Sequence, residues 1–208
     1  MSASTLTLDC QTQLVLEAYI CYEAQKLELL DKLAPYIEPP LLPENFKNGP
    51  QIISTIETLV ESFERTLSDQ SESMDLAVDF GIGDNFDKSR LITCYSCLLA
   101  RVLCKTNWGR IVGILDMFKK ICISLIESER TEVVPDIVLH TRRFFINQCS
   151  PFLKSNHGWS GLISFQNGLS SGGKLKNSPE NRYLQAFFKT FAGFVGMGLL
   201  IKVVTSKF

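Results

Sequence analysis

Asn107-Trp108-Gly109-Arg110-Ile111-Val112-Gly113-Ile114-Leu115-Asp116-Met117-Phe118-Lys119-Lys120-Ile121-Cys122-Ile123-Ser124-Leu125-Ile126 is the stretch around which the rest of the chain is organised. From Trp108 to Ile126 nearly every side chain is aliphatic or aromatic. The polar exceptions, Asp116, Lys119, Lys120 and Ser124, recur at helical spacing along one narrow stripe. A helix that is apolar around most of its circumference belongs inside a bundle, with other helices on most sides. Its start carries a further signal. Asn107 is a favoured N-cap, because its side chain can accept a bond from a free first-turn N–H. Gly109 leaves the backbone bare for a close neighbour. Arg110 sets a permanent fork of donors beside the positive end of a helix, which the helix dipole disfavours unless an acid compensates. A neighbouring acidic side chain would suffice. With Asn107 and Gly109 in the same turn, a corner that receives an external carboxylate is the sharper expectation.

Composition agrees with one helical domain. The chain has 208 residues, 45% of them apolar, enough for a sizeable core and unlike a disordered polymer. A net charge of −1 excludes broad electrostatic attraction to nucleic acid. The first fifteen residues hold Asp9 and many hydroxyls rather than a basic start and an apolar run, so no secretory signal is expected. Seven cysteines without such a signal fit reduced thiols in the cytosol.

Outward from the central stretch, apolar spacing marks further helices. Leu8 to Leu33 reads as one helix, with Val15, Tyr19, Tyr22, Leu29, Leu30 and Leu33 on its buried face. Ala34-Pro35 and the proline run Pro39 to Pro43 end it, and a loop closes at Asn48-Gly49-Pro50. Gln51 to Gln70 forms a second helix through Ile52, Ile56, Leu59, Val60, Phe63 and Leu67. Glu72 to Val78 is short enough for one or two turns, and Gly81 to Asn85 is a break. Asp87 to Cys104 precedes the central helix; Glu132 to Leu153 and a short helix after Gly158 follow it. No stretch alternates with period two, so no sheet is expected. The expected fold class is all-α, a bundle of about seven or eight helices.

Gln166 to Arg182 is rich in glycine, serine and asparagine and reads as a flexible linker. The tail after it is apolar from Ala186 to Val204 except for Lys189 and Lys202. Its uncharged core, Thr190 to Ile201, would reach only about 18 Å as a helix, but lysine stems can snorkel and extend it toward the roughly 30 Å hydrocarbon layer. The chain therefore divides into a bundle (1–165), a linker (166–182) and a C-terminal transmembrane tail anchor (183–208). The alternative is that the tail packs as a further helix of the soluble domain.

Chemistry-bearing constellations are weak. Cys94-x-x-Cys97 lacks partners for zinc, since His140 and His157 are the only histidines and are far apart in sequence. Together with Cys104, these cysteines are read as small core fillers. Asp136 and His140 are spaced to touch on a helix, but no serine or cysteine is tied to them by a motif, so charge pairing on a solvated face explains them. Trp108 and Trp159 are read as structural wedges. No enzyme, metal or cofactor is expected.

Asn107-Trp108-Gly109-Arg110-Ile111-Val112 resembles the first homology motif of the B-cell-lymphoma-two (Bcl) family of apoptosis regulators. Pro151-Phe152-Leu153-Lys154-Ser155-Asn156-His157-Gly158-Trp159 resembles its second motif, with His157 standing where Gly-Gly-Trp has its first glycine. The third motif, usually Leu-x-x-x-Gly-Asp-x-Phe, is matched by Ile56-x-x-x-Val60-Glu61-x-Phe63. The usual Asp-Gly before the first motif is Cys104-Lys105 here. The resemblance spans roughly Pro50 to Phe208.

It implies a surface groove between the second, fourth and central helices that receives the amphipathic death-motif helix of a pro-apoptotic relative. Arg110 would pair with the ligand's aspartate, and Asn107 would add a hydrogen bond beside Gly109. Phe63, Leu67, Met74, Leu98, Gly113 and Met117 would line the groove, with Arg101 at its rim. Val60, β-branched where the third motif wants a small residue, and Glu61 in place of aspartate make this chain's own motif a poor ligand. That favours an anti-apoptotic role over the alternative, an effector that oligomerises and permeabilises the outer mitochondrial membrane. The expected location is that membrane, facing the cytosol, with the endoplasmic reticulum as the alternative. Homo- and hetero-oligomers remain open.

Overall fold

The computed structural model describes residues 6–46, 48–68, 80–82, 86–102 and 106–170. Among them every regular element is helical, as the absence of alternation predicts. In chain order the α-helices are α1 (Leu8–Lys26), α2 (Leu30–Leu33), α3 (Gly49–Ser68), α4 (Lys88–Val102), α5 (Trp108–Glu127), α6 (Val134–Phe144), α7 (Ser150–Ser155) and α8 (Gly161–Ser170). A 3₁₀ turn at Thr131–Val133 leads into α6, a π-helical segment at Phe145–Cys149 joins α6 to α7, and a second 3₁₀ turn at Gly158–Ser160 precedes α8. The expected segment Glu72 to Val78, residue Cys104 and the tail beyond Ser170 lie outside the described residues. No helix among the described residues is long and apolar enough to cross a membrane.

α5 is the axis of the bundle. It packs against α1, α3, α4 and α6, and Ile111, Ile114, Leu115, Phe118, Ile121, Cys122, Leu125 and Ile126 are wholly buried. Fully burying one such aliphatic or aromatic side chain is worth about 1.5–3 kcal/mol, so this helix anchors the core. The surrounding helices present the faces their spacing predicts: Val15, Tyr19 and Leu33; Ile52, Ile56, Val60 and Phe63; Leu91 and Tyr95; Ile137 and Phe145.

The expected first helix, Leu8 to Leu33, is instead two. Glu28 takes a left-handed conformation at φ +59°. The Leu29 N–H bonds the Ala24 carbonyl five residues back (2.8 Å), and the Glu28 N–H bonds Gln25 (3.1 Å). This pair of bonds satisfies the last carbonyls of α1 and stops it, and α2 then begins in a new direction. At the other end, α8 continues to Ser170, so 166–170 are helical rather than linker.

Candidate functional site

The first turn of α5 is built by its cap. Asn107 has extended backbone, and its Oδ1 accepts the Arg110 N–H at 2.9 Å. One hydrogen bond therefore both opens the helix and fixes the backbone of the residue that carries the guanidinium. Gly109 is buried, and the Asn107 and Arg110 side chains are half-buried, at the edge of the core. Trp108, on the same turn, is 8% exposed. It meets Phe152 of α7 edge-on at 5.2 Å and Phe165 of α8 at 6.4 Å. The wedge reading of Trp108 thus holds, and it is α7 and α8 that it locks to α5.

A recess of about 310 Å³ opens beside this wedge, lined by Trp108, Asn156, His157, Gly161, Phe165 and Leu169 among others. The sequence reading contains no hint of it beyond Trp108, because its other walls come from the turn after α7 and from α8. That turn is held by two consecutive left-handed residues, His157 at φ +62° and Gly158 at φ +63°. Glycine adopts this conformation without steric cost, which gives a reason for the usual second-motif glycine; His157 carries the strain instead. Trp159 then turns fully inward, donating its Nε1–H to Thr12 Oγ1 at 3.0 Å and meeting Phe145 edge-on at 5.3 Å. A second recess of about 330 Å³ lies between α1, the segment after α2, and α6.

The other residues singled out for the groove sit as follows. Phe63 is 1% and Met117 3% exposed, and Gly113 is buried, so all three belong to the closed core of the unliganded molecule. Leu98 is half-buried on α4. Leu67 and Arg101 fall on α3 and α4, but their side chains, like all of Met74, lie outside the described residues. The structure therefore brings Asn107, Gly109 and Arg110 into one turn, and packs α3 and α4 against the helix that carries them.

Polar side chains that sequence reasoning placed on a simple stripe form a network below this corner. Asp116 is 1% exposed. Lys120 Nζ lies 2.9 Å from each of its oxygens and 3.5 Å from Glu64 Oε1, while Lys119 Nζ reaches Glu64 at 2.8 Å. Burial pushes the Asp116 carboxyl up to about 6, against the opposing pull of Lys120 and Lys119. Burial would also raise Glu64, but its hydrogen bond to Lys119 and the charges of both lysines bring it below the usual carboxylate range. Glu23 of α1, buried and only partly relieved by Lys119 and Lys26, is raised.

The remaining chemistry-bearing groups are accounted for locally. Asp136 pairs with Lys88 at 2.6 Å, and His140 Nδ1 lies 3.5 Å from Ser96 Oγ, so the spacing of Asp136 and His140 reflects separate surface contacts. Cys97 is exposed, which corrects its reading as a core filler, while Cys94 is half-buried and packs against the core. Among the described residues, Cys21, Cys122 and Cys149 are the buried thiols. No cluster of metal-ligating side chains occurs among the described residues.

Comparison with known proteins places this geometry. The family model described as "Apoptosis regulator proteins, Bcl-2 family" matches residues 53–159, from α3 through Trp159. Apoptosis regulator R11 of Xenopus laevis is 27% identical over 75 residues, 36% of this chain and 36% of that protein, so the match spans about a third of the curated relative. Schistosome BCL-2, solved bound to ABT-737, superposes with a TM-score of 0.66 at 23% identity, covering 78% of this chain and 99% of that one. Trichoplax adhaerens trBcl-2L2, solved bound to trBak BH3, gives 0.61 at 14% identity, covering 76% and 99%. At these identities the two structures speak for the fold, and the family model speaks for descent. The chain belongs to the Bcl-2 family of apoptosis regulators.

Proposed function

We propose that this chain is an anti-apoptotic member that sequesters the amphipathic third-motif helix of pro-apoptotic relatives in a groove bounded by α3, α4 and the start of α5. The observation that carries the reading is the corner at Asn107–Arg110, where a cap bond fixes the backbone that carries a half-buried arginine at the edge of the core. The ligand helix would lay its apolar face along the groove and set its aspartate on Arg110. The trBak BH3 segment bound by trBcl-2L2 supports the kind of partner. Phe63, Gly113 and Met117 are buried in the unliganded molecule, so the ligand must displace what covers them to reach them. Val60 supports the survival role, because its branched side chain at a fully buried position makes α3 a poor donor helix.

Arg110→Ala would leave the ligand aspartate desolvated and unpaired, a loss of about 2–5 kcal/mol for a buried charge pair. A panel of third-motif peptides should bind the variant at least about tenfold more weakly, with unchanged helical circular dichroism. Unaltered affinity would remove Arg110 as the acceptor. Leakage of liposomes loaded with dye on adding the unmodified protein would favour the executioner reading.

We also propose, from the sequence of 183–208, that the tail anchors the chain in the outer mitochondrial membrane with the groove in the cytosol. A fluorescent protein carrying Asn181 to Phe208 at its C-terminus should go to mitochondria and resist carbonate extraction. Replacing Val195 and Leu199 by arginine should release it, since each central charge costs roughly 2.5–3.5 kcal/mol on insertion scales. A diffuse unmodified fusion would mean the tail is not a sufficient anchor, and reticular staining would move the site to the endoplasmic reticulum.

A further inference from the structure

We propose that Asp116 is a proton-operated adjuster of the α3–α5 interface: when charged it competes with Glu64 of α3 for the Lys120 ammonium, and when it takes up a proton it leaves both lysines to Glu64 and draws α3 more firmly onto the core. The geometry sets up this competition. Lys120 Nζ stands 2.9 Å from both Asp116 oxygens and 3.5 Å from Glu64, so it belongs to the carboxylate on its own helix in preference to the one that would bridge to α3. Lys119, at 2.8 Å from Glu64, is the cation that does bridge. Two carboxylates sharing two lysines also repel one another, and burial strengthens that repulsion.

Among the groups around Asp116, burial raises its own carboxyl and that of Glu23. From α1, the Tyr19 hydroxyl feels the charges of Glu23 and Asp116; burial raises Tyr19 so far that it stays neutral at any relevant pH. From α3, Glu64 is held ionised by its lysines, while Glu57 and Glu61 are turned to Lys26. From α4, Tyr95 is hydrogen-bonded to Thr141 of α6, on the side of α5 that carries Cys122; burial raises Tyr95 and Cys122 and keeps both neutral. Asp116, raised to about 6, therefore titrates between neutral and mildly acidic pH; Glu23 is raised too, but it is common to both proteins compared below, so the difference between them reads Asp116.

The direction follows from linkage. A carboxyl whose folded value lies above its unfolded one, here about 6 against 3.8, binds its proton more tightly in the folded state. Folding is thus favoured progressively as pH falls from about 7 through 6 toward 4. Below that range the depressed carboxyls of Glu64, Glu57 and Asp9 begin to protonate, and their contribution is lost. Acidification first tightens the hold on α3 and only later weakens the molecule. This adjuster is independent of what the groove receives, and its test uses no ligand.

The experiment compares the full chain with Asp116→Asn, which keeps the shape and removes the charge. Urea titrations between pH 7.5 and 5 should show the unmodified protein gaining about tenfold more in folding equilibrium than the variant. Hydrogen exchange in α3, corrected for the intrinsic pH dependence, should slow on acidification in the unmodified protein and much less in Asp116→Asn. Superimposable pH profiles would overturn the proposal. If the variant does not fold, a carboxyl NMR titration of the unmodified chain decides: a midpoint near 6 supports the adjuster, and one below about 4.5 overturns it.

Discussion

At the scale of single residues, the legible features are those whose chemistry is local. The Asn107 cap is one, because its hydrogen bond reaches only to Arg110, three residues on. Gly161 is the opposite case. A Cβ there would stand 1.9 Å from the Asn156 carbonyl oxygen and 2.8 Å from Trp108 Cζ2, so only hydrogen fits between the turn after α7 and the wedge. Gly161→Ala must push backbone against backbone, and the cost should reach about 3 kcal/mol, the top of the usual overpacking range. Gly168→Ala is the matched control: nothing lies within 4 Å of its added methyl, and alanine suits a helix better, so stability should rise by up to about 1 kcal/mol. Urea denaturation measures both, and a loss under about 1 kcal/mol at Gly161 would mean that the turn yields. Neither glycine stands out in the sequence. Asp116 was equally opaque. Its place among polar neighbours reads only as a narrow polar stripe, and the packing of α1 and α3 over it makes that stripe a buried ionic network.

At the scale of elements, periodicity located nearly every helix, and the errors fall where a helix ends or changes its winding. α1 stops at Glu28, and α5 stops the same way at Glu129, each with a non-glycine residue near φ +59° and a hydrogen bond five residues back. Glycine is the usual signal for such an ending, so glutamate at position 28 hid the break in the first helix, whereas the end of the central helix near Ile126 was legible from its apolar run. The apolar spacing also runs on past Glu28 into α2, whose Leu33 is fully buried, and this made one long helix look continuous. From Glu132 to Leu153 the reading as one helical run is close, but its winding changes before Pro151. Proline has no N–H, and its ring crowds the carbonyl four residues earlier. The wider turn at Phe145–Cys149 accommodates it and still carries Phe145 and Cys149 into the core. The end of α8 was placed too early because glycine, serine and asparagine weigh against a helix, although α8 is supported by packing on α3.

At the scale of the whole molecule, the all-α class follows from the helical spacing of the apolar residues, whereas the closure of the chain on itself does not. α1 is stitched to the far end of the described chain by side chains more than a hundred residues apart. Arg142 donates from Nε and Nη2 to the two oxygens of Asp9 and from Nη1 to Gln13. Trp159 donates to Thr12. The surface pair with Asp9 is partly exposed and worth little, as such pairs usually are. The Trp159–Thr12 bond is wholly buried, and there the cost of an unmade bond decides. Thr12→Val keeps the volume but leaves the indole N–H without its acceptor, which should destabilise the fold by about 1–3 kcal/mol. Trp159→Phe also removes packing against Phe145 and should cost more. In the double variant the orphaned donor is gone, so the two losses should fall short of additive by about 1 kcal/mol or more. A double-mutant cycle in urea measures that shortfall. Strict additivity would mean that Trp159 holds α1 through packing alone, and that the hydrogen bond contributes nothing to closing the bundle.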